Sequence, residues 1–503
     1  MPATNPEKRN SVHDQAAHGH RSTLFSQAMR LLCKVASVLI VARLVAPSSY
    51  GLSAMTASIT IFLWMFRDLG LGTAAIQTPN LTPGLCSSLF RAQLALGLLF
   101  TLITAATSPL VAWFYGQPQL VPLLLFSSLS FLFIGIAGLP RVILFRAMRF
   151  DEINRIETTS AVTATAGMIA AAALGAGAYS LVLFTVLVDF IWAVLAWKYE
   201  PCHRLTSASR ESLVALAKTG RGLTYFQALN YLSQQAEIVG VGQYLGAFAL
   251  GLYSRASQML ALPTTHLAEP LSQVTLTALS RLTTSPEEFK KQVTSSVSII
   301  AYLTLPVAAL SIAIPEEIVR ILLGSQWTEA APLLRWLAVS AALMQATQVA
   351  QSIAIAVDQS RRLILTAAVT MVALIIAVAT GLPYGPNGVA FAVAVANLLL
   401  FFPRLMWRLQ GSPVRLSIFS KALTGPFVTA LLLGTGAYVG RAFCPANNFL
   451  LRLLFAFAGT ALLLGIAGLI SAALRKEWRA VWSHLPWAAK TPPISTAHQS
   501  DVP

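Results

Sequence analysis

Residues 220–282, GRGLTYFQALNYLSQQAEIVGVGQYLGAFALGLYSRASQMLALPTTHLAEPLSQVTLTALSRL, decide how this chain folds. They hold two apolar spans joined by a short loop. In the first, Gln227, Asn230, Gln234 and Glu237 recur at three- and four-residue steps, so a helix places all four on one stripe. In the second, Arg255, His266, Glu269 and Gln273 share a face that Met259 and Leu262 fill. A polar, ionised stripe on an apolar helix is costly in lipid, about 2.5–3.5 kcal/mol per central charge on insertion scales, so it faces water or a bundle interior. The stretch reads as one wall of a transport pathway.

The rest of the chain repeats the pattern. Of 503 residues 56% are hydrophobic and 11% charged, against roughly 25% charged in soluble domains. Apolar runs of about 20 residues, each long enough to cross a bilayer, recur to the end. The fold expected is an all-α polytopic membrane protein of about fourteen transmembrane helices, near residues 22–45, 50–66, 88–113, 119–139, 156–175, 178–197, 220–242, 249–271, 292–313, 331–354, 362–381, 385–403, 420–440 and 451–473. The polar opening is followed by no short apolar region with a cleavage site, so no removable signal peptide is expected.

The net charge of +16 suggests nucleic acid until its placement is read. With the amino terminus in the cytoplasm, every Lys and Arg lies in an inner tail or loop except Arg30, Lys34, Arg43, Arg255, Arg320, Arg335, Arg441 and Arg452. That alternation is the positive-inside rule, not a basic face for nucleic acid. It predicts a multi-pass membrane protein with both termini cytoplasmic. The longest outer connection, Ile314–Ala330, carries Glu316, Glu317 and Glu329 against Arg320. The four cysteines show neither metal spacing nor an evident disulfide pair.

An internal repeat lies at an offset of 200: VARLVAPSSYGL at 41–52 and VGQYLGAFALGL at 241–252. A second echo pairs GAGAYSL at 175–181 with GPNGVA at 385–390. Copies of six spans share one orientation and are related by an axis along the membrane normal. The predicted organisation is a cytoplasmic tail (1–21), an N-lobe of helices 1–6 (22–197), a cytoplasmic linker (198–219), a C-lobe of helices 7–12 (220–410), two extra helices (411–473), and a basic interfacial helix with a cytoplasmic tail (474–503). The last rests on Leu474, Trp478, Trp482 and Leu485 with Arg475, Lys476 and Arg479 between them.

Chemistry is expected in the lumen. Arg30 and Lys34 lie one turn apart in the first span, and Ser53, Thr56 and Thr60 form a stripe on the second. Arg30, Lys34, Arg255, Asn230, Gln234 and Glu237 are the candidate cavity residues, a cationic set suited to a phosphate or diphosphate group. Glu237, Glu269 and Asp189 are candidates for coupling to H+ or Na+. Each has a plainer reading: Arg30 as a cytoplasmic anchor, Glu237 with Arg255 as a structural ion pair, Asp189 packed against an arginine of another helix. His266 is more often structural than a ligand. The chain has no Gly-Lys dipeptide, hence no GxxxxGK[ST] loop, and no HExxH. No catalytic residue, metal or cofactor is expected, and the protein is not expected to be an enzyme.

Several strings together resemble a known family. They are Ala42-Arg43-Leu44 with Tyr50-Gly51-Leu52, RDLGLGTAAIQ at 67–77, LPRVILFRAMRF at 139–150, GLYSRA at 251–256, Leu262-Pro263 and PLSQVTLTALSRL at 270–282. In order and spacing they are similar to the polysaccharide branch of the superfamily that contains multidrug-and-toxin exporters and lipid-linked-oligosaccharide flippases. The resemblance covers about residues 22–410. It implies two lobes of six helices plus two, and a cationic central cavity containing Arg30, Lys34 and Arg255. It also implies export of undecaprenyl-diphosphate-linked repeat units across a bacterial inner membrane for exopolysaccharide, capsule or O-antigen synthesis, by alternating access coupled to an ion gradient. Membrane lipid and a polysaccharide polymerase or export machinery are the partners it suggests. The alternatives are a multidrug-type antiporter, which would want an anionic or aromatic pocket, and a membrane-embedded glycan polymerase, which would want a larger outer loop.

Overall fold

A backbone in hydrocarbon must satisfy its own hydrogen bonds, and helices do this within one segment. Helix is accordingly the only regular structure among the described residues. The computed structural model describes residues 6–66, 71–78, 82–200, 210–263, 269–357, 360–444 and 449–470. Its helices in order are α1 (Pro6–Leu44), α2 (Pro47–Phe66), α3 (Leu71–Gln77), α4 (Pro83–Tyr115), α5 (Leu120–Arg146), α6 (Phe150–Ala173), α7 (Ala178–Tyr199), α8 (Arg210–Pro263), α9 (Glu269–Arg281), α10 (Pro286–Ala313), α11 (Pro315–Leu322), α12 (Ala330–Ala356), α13 (Ser360–Gly381), α14 (Gly385–Leu409), α15 (Leu416–Ala442) and α16 (Phe449–Ile470).

Each stretch expected to cross the membrane overlaps a helix, and α8 takes two of them, on either side of a break at Gly246. Among the described residues 8 stretches are long and apolar enough to cross by composition, and one of them, 362–409, takes in α14 and all but the first two residues of α13. A shorter apolar run, 451–465, lies in α16. Helix α6 opens with Asp151, Glu152, Arg155 and Glu157, which lower its mean hydropathy. The interfacial helix expected beyond 474 lies outside the described residues. Helix α8 begins at Arg210, within the expected linker, because RESLVALAK is itself a run of good helix formers.

By packing, the chain divides into two units. The first comprises 1–258, 318–333 and 367–396. Thr82 starts α4 by accepting the Leu85 N–H at 3.3 Å, with Pro83 in the first turn, and Gly116 ends it at φ 62. Helices α4 and α5 touch where Gly97 meets Gly135, too close for any side chain on either. Lipid supplies no hydrophobic drive for helices to associate, so such small-residue contacts and dense packing hold them. Leu144, Ile153, Ile156, Trp192 and Ala196 form a core between α5, α6 and α7. Many hydroxyls bond to carbonyls of their own helices, as where Thr104 donates to the Phe100 carbonyl at 2.7 Å. Arg149 ties the α5–α6 turn to the end of α7 through Glu152, Glu200 and the Tyr199 carbonyl. The hydrogen bond to Glu152, with the charges of both carboxylates, raises the Arg149 pKa above its ordinary value.

The second unit comprises 259–317, 334–366 and 397–503. Phe289, Val293, Val297, Ile300, Val349, Ile353, Leu405 and Phe419 are its core. Gly436 and Gly440 on α15 let α16 approach at Gly459, a small-residue seam. Arg441 anchors the α10–α11 turn through Glu316 at 2.8 Å and Glu317 at 3.0 Å.

Candidate functional site

The polar residues of the first unit assemble around the breaks between α1 and α2 and within α8. Helix α1 stops at Leu44 and α2 starts at Pro47; α8 bends at Gly246, where φ is 79. The two breaks sit two hundred residues apart, as the repeat does. After them α2 and the second arm of α8 cross in contact. A Cβ on Gly51 would fall into the Ala247 carbonyl, and one on Gly251 into the Pro47 carbonyl. Residues 47 and 51 thus meet residues 247 and 251 reciprocally, the signature of a local twofold axis.

A polar seal closes over this crossing. The last carbonyls of a helix lack intrahelical donors. At the end of α1 they are met from residues 318–333: Trp327 Nε1 donates to the Ala42 carbonyl at 2.7 Å, and Gln326 Nε2 donates to Ala42 and, at 3.2 Å, to Val45. Arg43 Nη2 returns a bond to the Ile321 carbonyl at 2.9 Å. The fully buried Trp327 ring stands edge-on to Tyr50 with centroids 5.1 Å apart. On Tyr50 lies the Arg255 guanidinium, its Cζ 3.8 Å from the ring centroid, while Arg255 Nη1 donates to Gln258 Oε1 at 3.0 Å. Arg255 stands in the third turn of the α8 arm that follows Gly246. A desolvated guanidinium on an aromatic face contributes about 2 kcal/mol.

Glu237 and Arg255 are not an ion pair. Glu237 Oε2 accepts instead from the Tyr253 hydroxyl at 2.5 Å, so the carboxylate joins the two arms of α8 across the Gly246 break. Arg30 forms an ion pair with Glu157 of α6, beside Thr158 Oγ1, which donates to Ser26 Oγ at 2.7 Å. Lys34 follows one turn later at an exposed position. Arg30 lies about 18 Å back along α1 from Ala42 at 1.5 Å per residue, so Arg30 and Arg255 belong to two clusters at different heights. Asp189 lines a cavity of about 240 Å³ together with Arg141, Gln93 and Trp192, and the Arg141 guanidinium rests on Trp192 at 4.8 Å. Asp189 of α7 and Arg141 of α5 thus line one cavity. The side chains of Asn230, Gln234, Glu269, Gln227 and His266 lie outside the described residues.

Tyr50, Tyr253, Trp327 and Arg141 were not named as site residues from sequence. Trp327 had one signal available, a tryptophan in an outer connection. Tyr50, Tyr253 and Arg141 lie in the strings that carry the family resemblance, but nothing in those strings shows which partner each side chain takes.

Residues 40–332 match the profile of the family described as "Polysaccharide biosynthesis protein". The teichuronic acid biosynthesis protein TuaB of Bacillus subtilis is 22% identical over 285 residues, 56% of this chain and 58% of that one. The succinoglycan biosynthesis transport protein ExoT of Rhizobium meliloti is 26% identical over 318 residues, 62% of this chain and 63% of that one. The match therefore spans less than two thirds of either relative. Among solved structures, the inward closed conformation of the lipid II flippase MurJ superposes with a TM-score of 0.64 at 16% identity, over 90% of this chain and 100% of that one. At that identity the likeness concerns the fold.

Proposed function

We propose, from the premise that this chain belongs to the polysaccharide biosynthesis protein family, that it is a flippase moving lipid-linked glycan repeat units across a bacterial inner membrane. The observation that carries this reading is the reciprocal crossing of residues 47 and 51 with 247 and 251, under a seal of side-chain hydrogen bonds. Alternating access needs two repeated halves that meet at one membrane face and part at the other. A small-residue crossing with a few polar bonds over it is a contact that can break without exposing a large apolar surface.

The cations then serve in sequence. Arg30 and Lys34, midway along α1, receive the diphosphate of an undecaprenyl-linked oligosaccharide while the polyprenyl chain stays in lipid. Arg255, at the seal, exchanges Tyr50 for the arriving phosphate, so substrate arrival loosens the closed face. A ligand shifts such an equilibrium only by binding one state better, and Arg255 provides that difference. Glu237 with Tyr253 is the site for a driving H+ or Na+, since a carboxylate bridging the α8 break changes its bonding when protonated. The chain's polymerase partners would act on the product at the outer face.

The test is translocation by the purified protein in vesicles, using a fluorescent short-chain polyprenyl-diphosphate disaccharide. Arg30→Ala, Lys34→Ala and Arg255→Ala are each expected to slow it by at least tenfold with folded protein retained. Wild-type translocation no faster than in protein-free vesicles would remove the flippase reading; unchanged rates in all three variants would remove the cationic path alone.

A further inference from the structure

Two arginines of the second unit sit where buried charge is least tolerable. Arg404 and Arg408 lie one turn apart on α14, on the stripe begun by Asn397. Arg404 is only 7% exposed and Arg408 is half-buried. Facing them on α12 are Ser340 and Thr347, both buried. The two stripes are joined rung by rung: Asn397 Nδ2 donates to Ser340 Oγ at 2.8 Å, and Arg408 Nη1 donates to the Thr347 carbonyl at 3.2 Å. Between those rungs Arg404 Nη2 donates to Asn397 Oδ1 at 3.2 Å.

What is missing is an anion. Among the described residues no carboxylate lies within ion-pair distance of either guanidinium. The Nε–H of both arginines is buried without an acceptor. Each charge also repels the other. Burying a cation is unfavourable unless it is both paired and hydrogen-bonded, and here two cations share one neutral acceptor each. The end of α14 offers its carbonyl dipoles, but a helix terminus supplies about half a charge against two full ones. Snorkelling does not apply to Arg404, since a snorkelling arginine carries its head to water.

We propose that Arg404 and Arg408 form a binding site for a phosphate group at the α12–α14 interface. Guanidinium forks one helical turn apart suit the oxygens of one tetrahedral phosphate or of a diphosphate, each arginine donating two parallel bonds. Arg408 is the accessible member, and the ligand enters on its side. The phosphate can come from a lipid headgroup or from solution. The site shares no residue with the Arg30, Arg255 and Glu237 clusters, and the inference does not depend on the transport reading.

Thermal unfolding of the purified full-length protein in neutral detergent tests this, with chloride keeping ionic strength constant. Three additions are compared: inorganic phosphate, short-chain phosphatidylglycerol, and short-chain phosphatidylcholine as the zwitterionic control. A saturable rise in midpoint with inorganic phosphate is expected, with a half-saturating concentration at least tenfold higher in Arg404→Gln and Arg408→Gln. A rise with phosphatidylglycerol alone, lost in the same variants, assigns the site to lipid headgroups. Should Arg404→Gln not fold, Arg404→Lys keeps the charge without the fork and is expected to bind more weakly. Equal shifts in wild type and variants, or no shift with either phosphate compound, would overturn the proposal and leave the pair as helix fasteners. No transport is measured, so either result leaves the flippase reading where it stands.

Discussion

Gly51 and Gly251, two hundred residues apart, occupy one crossing: each lies against the backbone carbonyl four residues before the other, Ala247 for Gly51 and Pro47 for Gly251. Neither carbonyl belongs to a flexible side chain, so neither can yield to an added methyl group. Gly51→Ala and Gly251→Ala are expected to cost at least the 1–3 kcal/mol typical of overpacking. Gly434, whose Cβ would meet Ala309 at an ordinary 3.4 Å, is the control and should tolerate alanine. Unfolding midpoints in detergent check this; equal losses at Gly51 and Gly434 would deny the crossing its special role.

Trp327→Phe keeps the ring against Tyr50 and removes the Nε1–H from the Ala42 carbonyl. A lost buried hydrogen bond of about 1 kcal/mol opens the seal roughly fivefold more often. Adding Gln326→Leu removes the remaining side-chain donor to Ala42 and should open it further. The measurement is the labelling rate of a cysteine at Val45, buried at 2% exposure, by a membrane-impermeant thiol reagent in a background without other cysteines.

The Arg255–Tyr50 contact separates ring from hydroxyl. Tyr50→Phe retains the aromatic face and is expected to change the closed-state population little. Tyr50→Leu removes it and should shift that population by about 0.5–2 kcal/mol, threefold to thirtyfold. The same cysteine reporter reads both variants, and identical behaviour of Phe and Leu would mean that the ring contributes only bulk.

The Arg30–Glu157 pair decides between a structural and a substrate role for Arg30. If the charge serves only to hold α1 on α6, the swap Arg30→Glu with Glu157→Arg restores what either single change loses. The expected result is restored stability without restored translocation, since the cation has moved off α1. A double-mutant cycle on unfolding, run beside the vesicle assay, measures both.

Glu237→Gln keeps a partner for the Tyr253 hydroxyl and removes the ionisable group. Translocation driven by a proton or sodium gradient is expected to fall at least tenfold, while exchange without a gradient persists. Tyr253→Phe, which leaves the carboxylate but takes away its donor, should weaken both. Gradient-driven rates that survive Glu237→Gln would move the coupling role elsewhere.

How much was legible in advance follows the type of interaction. The apolar runs named a helix for each expected stretch, since helix is what an apolar stretch must form in lipid. The offset of 200 was readable from a few matched residues, and Gly51 with Gly251 turned out to be the place where the copies touch. The cluster at Arg255 was only half legible. Its charge marked it as costly, but the ion pair with Glu237 that the helical spacing allowed is replaced by Tyr253 on one side and Tyr50 on the other. That Asp189 shares a cavity with Arg141 required the fold of α5 against α7.

Composition and period by themselves determined that this is a helical membrane protein and where its helices run, because these depend on transfer into lipid and on spacing along one chain. Only the tertiary structure decided which partner each buried polar group takes. Hydrogen bonds and ring contacts act over a few ångströms between residues as distant in sequence as Ala42 and Trp327, and spacing along a helix carries no information about what the next helix presents.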